Sequence, residues 1–210
     1  MARPTTDFAR ENPRGGLIVC ESHAVDSECL ERMADEADLA AVAGMKGARR
    51  TERLMWRRMA RNLIDNRPLE VEYTAEGAPR INNFPYAHIS VSHCREAVAL
   101  VVSPRRCGVD VESLNRNFSR IAQRYISPRE WALRPAAASA AEEQLFMAVV
   151  WCAKECLFKM YGRRGLDLCR DITIDRLDLG RKEVVGRVES HRRVKMKIKL
   201  QGDYIVVYHK

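Results

Sequence analysis

The chain has 210 residues, 46% of them hydrophobic and 30% charged, which excludes a disordered protein and suffices for a core in one domain or in two small lobes. No apolar run approaches the ~20 residues that a membrane span needs, so we expect no membrane partner. The formal net charge of +8 favours anionic partners, namely nucleic acid, phosphate-rich cofactors or acidic proteins, without choosing among them.

The N-terminus and the cysteines indicate the compartment. Residues 1–16 are polar, so we expect a flexible lead-in without a signal peptide. The seven cysteines are odd in number and form no Cys-x-x-Cys pair. Cys152 and Cys156 lie one helical turn apart, which suits a packed helix face better than a zinc site. We therefore expect reduced, mostly buried thiols in a cytoplasmic protein.

The first half of the chain is predicted to mix strands with helices. Leu17–Cys20 is a short strand, and Ser27–Leu39 has an acidic helical pattern. A basic helix from Ala48 to Ile64 combines an apolar stripe with arginines on its other faces. His88–His93 alternates apolar with polar residues as a strand, and Ala97–Val102 is a second strand. Cys94-Arg95-Glu96 between them suits a tight hairpin. The arginines of the basic helix are Arg49, Arg50, Arg53, Arg57, Arg58 and Arg61.

The second half begins with a strand, Cys107–Glu112, and a helix is predicted over Asn117–Tyr125. Pro128, which follows a serine, predicts the start of another helix. Glu142–Tyr161 is the longest helical pattern. Val194–Leu200 alternates apolar residues with lysines, and the turn at Gly202-Asp203 leads into Tyr204–Tyr208, which predicts a closing hairpin.

Two carboxylates are spaced for one face of a strand. Asp110 and Glu112 lie two positions apart, so both side chains point the same way. Such a pair suits a hard cation such as Mg²⁺, which takes a few carboxylates together with water and phosphates. An exposed polar strand face has the same pattern, so the spacing alone leaves both interpretations open.

A second set of chemical groups shares one face of the long helix. Trp151, Glu155 and Lys159 are four residues apart. Glu155 is a candidate metal ligand or base, and Lys159 a candidate phosphate contact. The same spacing would also arise if Trp151 anchored the helix beside a solvated Glu-Lys pair.

Ser92-His93 and the basic helix are candidate phosphate contacts. Hydroxyl, imidazole and guanidinium groups all donate hydrogen bonds to phosphate oxygens. A surface Ser-His pair and a solvated arginine face remain the alternatives.

Taken in order, these segments resemble the 4′-phosphopantetheinyl transferase superfamily, in its surfactin-type, two-lobe, single-chain branch. The resemblance covers roughly Arg49 to Ile174. It is carried by Gly77-Ala78-Pro79-Arg80-Ile81, Ile89-Ser90-Val91-Ser92-His93, Gly108-Val109-Asp110-Val111-Glu112, Tyr125-Ile126-Ser127-Pro128-Arg129-Glu130, Trp151-x-x-Lys154-Glu155-x-x-x-Lys159 and the glycine-rich stretch from Gly162 to Leu168.

The resemblance implies an α+β fold of two similar α/β lobes, related by a pseudo-twofold axis, with the active site in the cleft between them. It implies an N-terminal lobe over residues 1–103 and a C-terminal lobe over residues 104–210 that carries the metal site. It also implies a monomer.

The implied activity is that of a holo-[acyl-carrier-protein] synthase, which transfers 4′-phosphopantetheine from coenzyme A to a serine of an acidic apo carrier protein and releases 3′,5′-ADP. The implied metal ligands, for Mg²⁺, are Asp110, Glu112 and Glu155. The implied catalytic residues are Glu155 as base, Lys159 and His93. The implied coenzyme A contacts are Arg50, Arg57, Arg80, Ser92, His93, Lys154 and Lys159, with support of the helix as an alternative role for Lys154.

One departure concerns coenzyme A binding. The family usually has lysine after the turn glycine, where this chain has Ala78, so Arg80 or the basic helix would supply the charge.

Two other functions stay open. A basic nucleic-acid-binding protein would not need Asp110, and another Mg²⁺-dependent phosphotransferase or nuclease would not need His93. A family member that has lost activity is a third alternative.

Overall fold

The computed structural model describes residues 15–21, 27–63, 67–75, 77–83, 86, 88–95, 97–136, 138–162 and 165–210. The predicted lead-in lies almost wholly outside these residues. The chain forms two compact units, residues 1–107 with Lys210 and residues 108–209. Both combine helices with antiparallel strands, so the chain is a mixed α/β protein. No helix in the described ranges is long and apolar enough to cross a membrane.

The N-terminal unit has a three-stranded antiparallel sheet in the order β1-β5-β4 and a separate β2-β3 pair. Every residue of β5 is buried, and its Val98 and Leu100 share one core with Leu54 and Met55 of helix α3. The elements are β1 (Gly16–Glu21), α1 (Ser27–Arg32), α2 (Glu36–Ala41), α3 (Gly47–Asn62), β2 (Val71–Tyr73), β3 (Pro79–Ile81), β4 (His88–His93) and β5 (Ala97–Ser103).

The predicted acidic helix over Ser27–Leu39 is two helices, because Asp35 interrupts it. Its side chain accepts a hydrogen bond from the backbone N–H of Asp38 and thereby caps α2. Asp38 is itself buried and faces Arg57 and Arg61 of α3. The basic helix is therefore not solvated on all of its polar faces, since two of its arginines are neutralised inside the unit.

The C-terminal unit is a five-stranded antiparallel sheet in the order β6-β10-β9-β8-β7, with the long helix α5 packed against it. The buried residues of α5 and of the facing strands form a single core. The elements are β6 (Gly108–Ser113), α4 (Pro128–Trp131), α5 (Ala140–Tyr161), β7 (Ile172–Asp178), β8 (Glu183–Val188), β9 (Val194–Gln201) and β10 (Tyr204–His209).

Capping determines where the helices of this unit begin and end. Ser127 and Glu130 form a capping box at the start of α4, as Pro128 predicts. Helix α5 ends at Gly162, which has the left-handed φ of 60°. The predicted helix over Asn117–Tyr125 is wrong, because only a 3₁₀ turn at Ala122–Arg124 forms there.

Gly108 allows β6 to approach α5 closely. A Cβ atom at this position would lie 2.4 Å from the carbonyl oxygen of Cys156 and 2.5 Å from Cγ of Met160. Any larger residue would push the strand away from the helix. The glycine therefore brings the side chains of β6 within reach of those on α5.

Candidate active site

Three carboxylates form an acidic cluster, Asp110, Glu112 and Glu155, where β6 faces α5. Nζ of Lys159 donates to Oδ1 of Asp110 at 2.7 Å, and Nε1 of Trp151 donates to Oε1 of Glu112 at 3.0 Å. Both strand carboxylates thus point toward the helix, as their spacing predicts. Their partners are the first and last of the three helix residues that share one face.

Burial and the charge of Asp110 raise the pKa values of the two glutamates of this cluster. The pKa of Glu155 is raised first by burial and then by the charge of Asp110, against the opposing effects of Lys159 and Arg116. The pKa of Glu112 is raised by burial and by Asp110 in the same way. Both side chains are half-buried, so water screens this repulsion only partly.

Lys159 balances part of this negative charge. Burial by itself lowers the pKa of Lys159, but the charge and hydrogen bond of Asp110 and the charge of Glu155 outweigh it, so the pKa is raised. The ammonium is therefore fully charged at neutral pH. Cys152, beneath the cluster, has a pKa raised by burial and by Asp110 and Glu112, so it is a neutral thiol and not a nucleophile.

Arg116 is a cluster residue that the sequence reasoning missed. Its guanidinium donates to Oε1 of Glu112, and its central carbon lies 4.6 Å from the centroid of the Trp151 ring and 5.3 Å from that of Phe118. Both rings attract the cation through their π faces. Arg116 follows a turn after β6, so no strand or helix period connects it with Glu112.

The donors of the acidic cluster suit Mg²⁺ in kind, but they are not arranged around a common centre. Carboxylate oxygens are the protein ligands that Mg²⁺ prefers, and a cation would relieve the repulsion that raises the pKa values of Glu112 and Glu155. Within the described residues, however, no group of three His, Cys, Asp or Glu side chains has an arrangement that could hold a metal ion. Asp110 and Glu112 are instead turned toward Lys159 and Arg116.

The predicted phosphate contact of Lys154 is contradicted. Its side chain is 0% exposed, and Nζ donates to Glu130 at 2.8 Å and to the carbonyls of Leu168 and Ile172 at 2.8 and 2.7 Å. An ammonium has three protons, and all three are used. Lys154 has the alternative role, support of α5 from within the core.

In the N-terminal unit, Ser92 and His93 end β4 with opposite exposure. Ser92 is buried, whereas the His93 side chain is 54% exposed, and its Nδ1 lies 3.1 Å from Oε2 of Glu52 on α3. The strand end therefore presents an imidazole beside the basic helix. Arg80 is exposed on β3.

The structure corrects the choice of arginines on the basic helix. Arg57 is only 3% exposed and donates to Asp38 at 2.6 Å, so it is a core residue and no phosphate contact. Arg50 donates to Glu31 at 2.6 Å and to the carbonyl of Val42 at 2.9 Å. It would have to leave both partners to reach a phosphate.

Two other arginines of the helix, Arg49 and Arg53, are better candidates. Among the described residues, neither has an acidic side chain within ion-pair distance. The guanidinium of Arg53 lies 5.2 Å from the centroid of the Tyr73 ring and 5.8 Å from that of Trp56. Burial, then repulsion from Arg49 and Arg57, lowers the pKa of Arg53.

Comparison with protein families gives a match over the segment that carries the acidic cluster. Residues 106–208 match the family model described as the 4′-phosphopantetheinyl transferase superfamily. The match includes the acidic cluster, Lys159, Trp151 and Arg116. It confirms the superfamily predicted from the motifs, while the surfactin-type branch stays a prediction. A comparison with curated proteins finds no match.

Proposed function

Since the chain belongs to the 4′-phosphopantetheinyl transferase superfamily through residues 106–208, we propose that it transfers 4′-phosphopantetheine from coenzyme A to a serine of an acidic apo carrier protein, as a holo-[acyl-carrier-protein] synthase does. The observation that carries the proposal is the acidic cluster with Lys159 inside the matched segment. The serine oxygen forms a bond to the phosphorus that bears the pantetheine arm. The bond from that phosphorus to the leaving 3′,5′-ADP breaks.

Glu155 is the proposed base for the serine proton. It is half-buried, and burial together with Asp110 raises its pKa, which brings its basicity closer to that of a group working at neutral pH. Lys159 neutralises negative charge as it accumulates on the phosphate oxygens. Its raised pKa keeps it protonated throughout.

Asp110, Glu112 and Glu155 are the residues that would hold Mg²⁺. When bound, the cation supplies neutralisation of the phosphoanhydride and of the leaving phosphate. The residues of the chain would orient the serine, remove its proton and hold the phosphate oxygens in place.

Coenzyme A phosphates are the proposed ligands of His93, Ser92 and Arg80, with Arg53 and Arg49 in place of Arg57 and Arg50. The support is the exposure of His93 and the absence of acidic partners at Arg53 and Arg49 among the described residues. Ala78 offers no charge, so these cations would carry the affinity. The two-lobe arrangement with pseudo-twofold symmetry, the cleft, the monomeric state and the cytoplasmic location belong to the same proposal.

Arg53→Gln should weaken coenzyme A binding about ten- to a hundred-fold, because charge-assisted hydrogen bonds contribute about 1.5–3 kcal/mol each. Titration calorimetry with coenzyme A in the absence of carrier protein measures this. Arg57→Gln, the same change one turn along the helix, should lower the urea midpoint and leave the coenzyme A affinity of the folded protein near wild type. Equal loss of affinity in both variants would contradict the assignment.

Carrier labelling tests the proposed function itself. Incubation with coenzyme A, Mg²⁺ and an apo carrier protein should raise the carrier's mass by one phosphopantetheine, and EDTA should abolish the shift. Fatty-acid, polyketide and peptidyl carriers should each be assayed, because the sequence does not distinguish them. No shift on any carrier would refute the proposal. Tight, salt-dependent binding of DNA or RNA would then support the nucleic-acid alternative.

A further inference from the structure

Arg116 is paired with Glu112, a carboxylate that the proposed function assigns to a metal ion. Its guanidinium and the indole N–H of Trp151 share the same oxygen, Oε1 of Glu112. Lys159 holds Asp110 in the same manner on the other side. Asp110 and Glu112 thus each face a cation of the chain and not a shared centre.

The position of Arg116 differs from that of an ordinary surface arginine. Its side chain is 36% exposed, and its guanidinium lies over the Trp151 ring. The attraction of that ring does not depend on Glu112, so the guanidinium keeps a favourable place when the carboxylate turns away. Arg116 therefore has partners of two kinds, a carboxylate that a divalent cation would take and aromatic rings that it would leave.

The net charge of the acidic cluster would change if a divalent cation took the place of Arg116 at Glu112. Counted with all three carboxylates ionised, the acidic cluster and the two described cations that pair with it, Arg116 and Lys159, carry one excess negative charge, which repels phosphate. A divalent cation reverses that sign and releases the guanidinium, whose planar fork matches phosphate oxygens.

We propose that Arg116 is the resident counter-cation of the acidic cluster: it leaves Glu112 when a divalent cation binds and then contacts a phosphate oxygen of the phosphoanhydride ligand. The inference rests on the proposed function and adds a regulatory feature to the same site. It makes cation binding and phosphoanhydride binding mutually dependent, because each ligand favours the same position of Arg116.

Mn²⁺ binding to the full-length protein, followed by electron paramagnetic resonance of the free ion, tests this without any turnover. For wild type we expect weak binding of Mn²⁺ alone and tighter binding in the presence of coenzyme A. In Arg116→Gln, Mn²⁺ alone should bind about ten-fold more tightly, because no hydrogen-bonded guanidinium has to be displaced. Coenzyme A should then improve Mn²⁺ binding less than it does in wild type.

Arg120→Gln is the matched control, since it removes the same charge at a nearby exposed position. Arg116→Lys keeps the charge without the planar fork and should fall between wild type and Arg116→Gln. Circular dichroism checks that each variant is folded.

The results distinguish this inference from the proposed function. Weaker or unchanged Mn²⁺ binding in Arg116→Gln overturns the inference, and so does equal tightening in Arg120→Gln, which would be an effect of net charge alone. If none of the proteins binds Mn²⁺, the proposed metal site fails and the inference fails with it. If wild type binds Mn²⁺ and modifies a carrier while Arg116 has no influence on affinity, only the inference fails.

Discussion

Asp110→Asn should lower the rate of phosphopantetheine transfer roughly a thousand-fold, because a metal-binding carboxylate at a phosphoryl centre contributes several kcal/mol to the transition state. Within the site, we expect substitution of Asp110 to lower the transfer rate the most. It accepts a hydrogen bond from Lys159, and its charge raises the pKa values of both Glu112 and Glu155. The amide removes that charge at nearly constant shape. Single-turnover labelling of an apo carrier at saturating coenzyme A measures the loss.

Asp175→Asn provides the matched control for this change. Asp175 lies in the same unit on β7, has a side chain that is 8% exposed, and pairs with Arg187 of β8 and with Arg193, which precedes β9. The substitution should cost some stability and leave the transfer rate within a few-fold of wild type. Retained transfer in Asp110→Asn, or equal loss in both variants, would remove Asp110 from the proposed chemistry.

Lys154→Met should destabilise the protein by about 3–5 kcal/mol, the cost of leaving one partner of a buried ion pair alone. Lys154 has no exposed surface and donates to Glu130 and to two backbone carbonyls. Glu130 also accepts from the backbone of Ser127 and Ile174, so its carboxylate remains in the core when the lysine is gone. Urea unfolding followed by circular dichroism measures the free energy of unfolding.

Lys197→Met is the control, because the same substitution there removes a lysine that is 53% exposed beside Glu183. Because Lys197 is exposed and Glu183 keeps Lys195 as a second partner, we expect a loss of about 1 kcal/mol or less. Replacing Glu130 together with Lys154 by apolar residues should recover part of the stability, since no uncompensated charge stays buried. A loss below 1 kcal/mol in Lys154→Met would mean that water reaches Glu130 and that the pair is not sealed.

Helices and strands could be predicted where the apolar residues follow a single clear pattern along the sequence. Strands β4 and β9 follow from alternation, and their hairpin partners β5 and β10 from apolar runs after short turns. Helix α5 follows from its long helical pattern and its glycine end. Strands β7 and β8 were not predicted, because charged residues interrupt their apolar positions. The expected helix over Asn117–Tyr125 does not form, and Phe118 and Tyr125 both lie in the core with a 3₁₀ turn at Ala122–Arg124 between them.

The site was predictable as two faces but not as one cluster. Strand spacing places Asp110 and Glu112 together, and helix spacing places Trp151, Glu155 and Lys159 together. That these faces meet depends on Gly108, whose missing side chain permits the contact between β6 and α5.

The sequence by itself determined the superfamily, the order of most elements and the residues that carry the acidic cluster, because these depend on local period and on motif order. The tertiary structure alone decided which charges are available. Arg57 is neutralised by Asp38, Lys154 by Glu130, and Glu112 by Arg116. The first two pairs join residues far apart in the chain, and the third spans a turn without a period. An ion pair depends on distance and burial in space, and neither is a property of the spacing along the sequence.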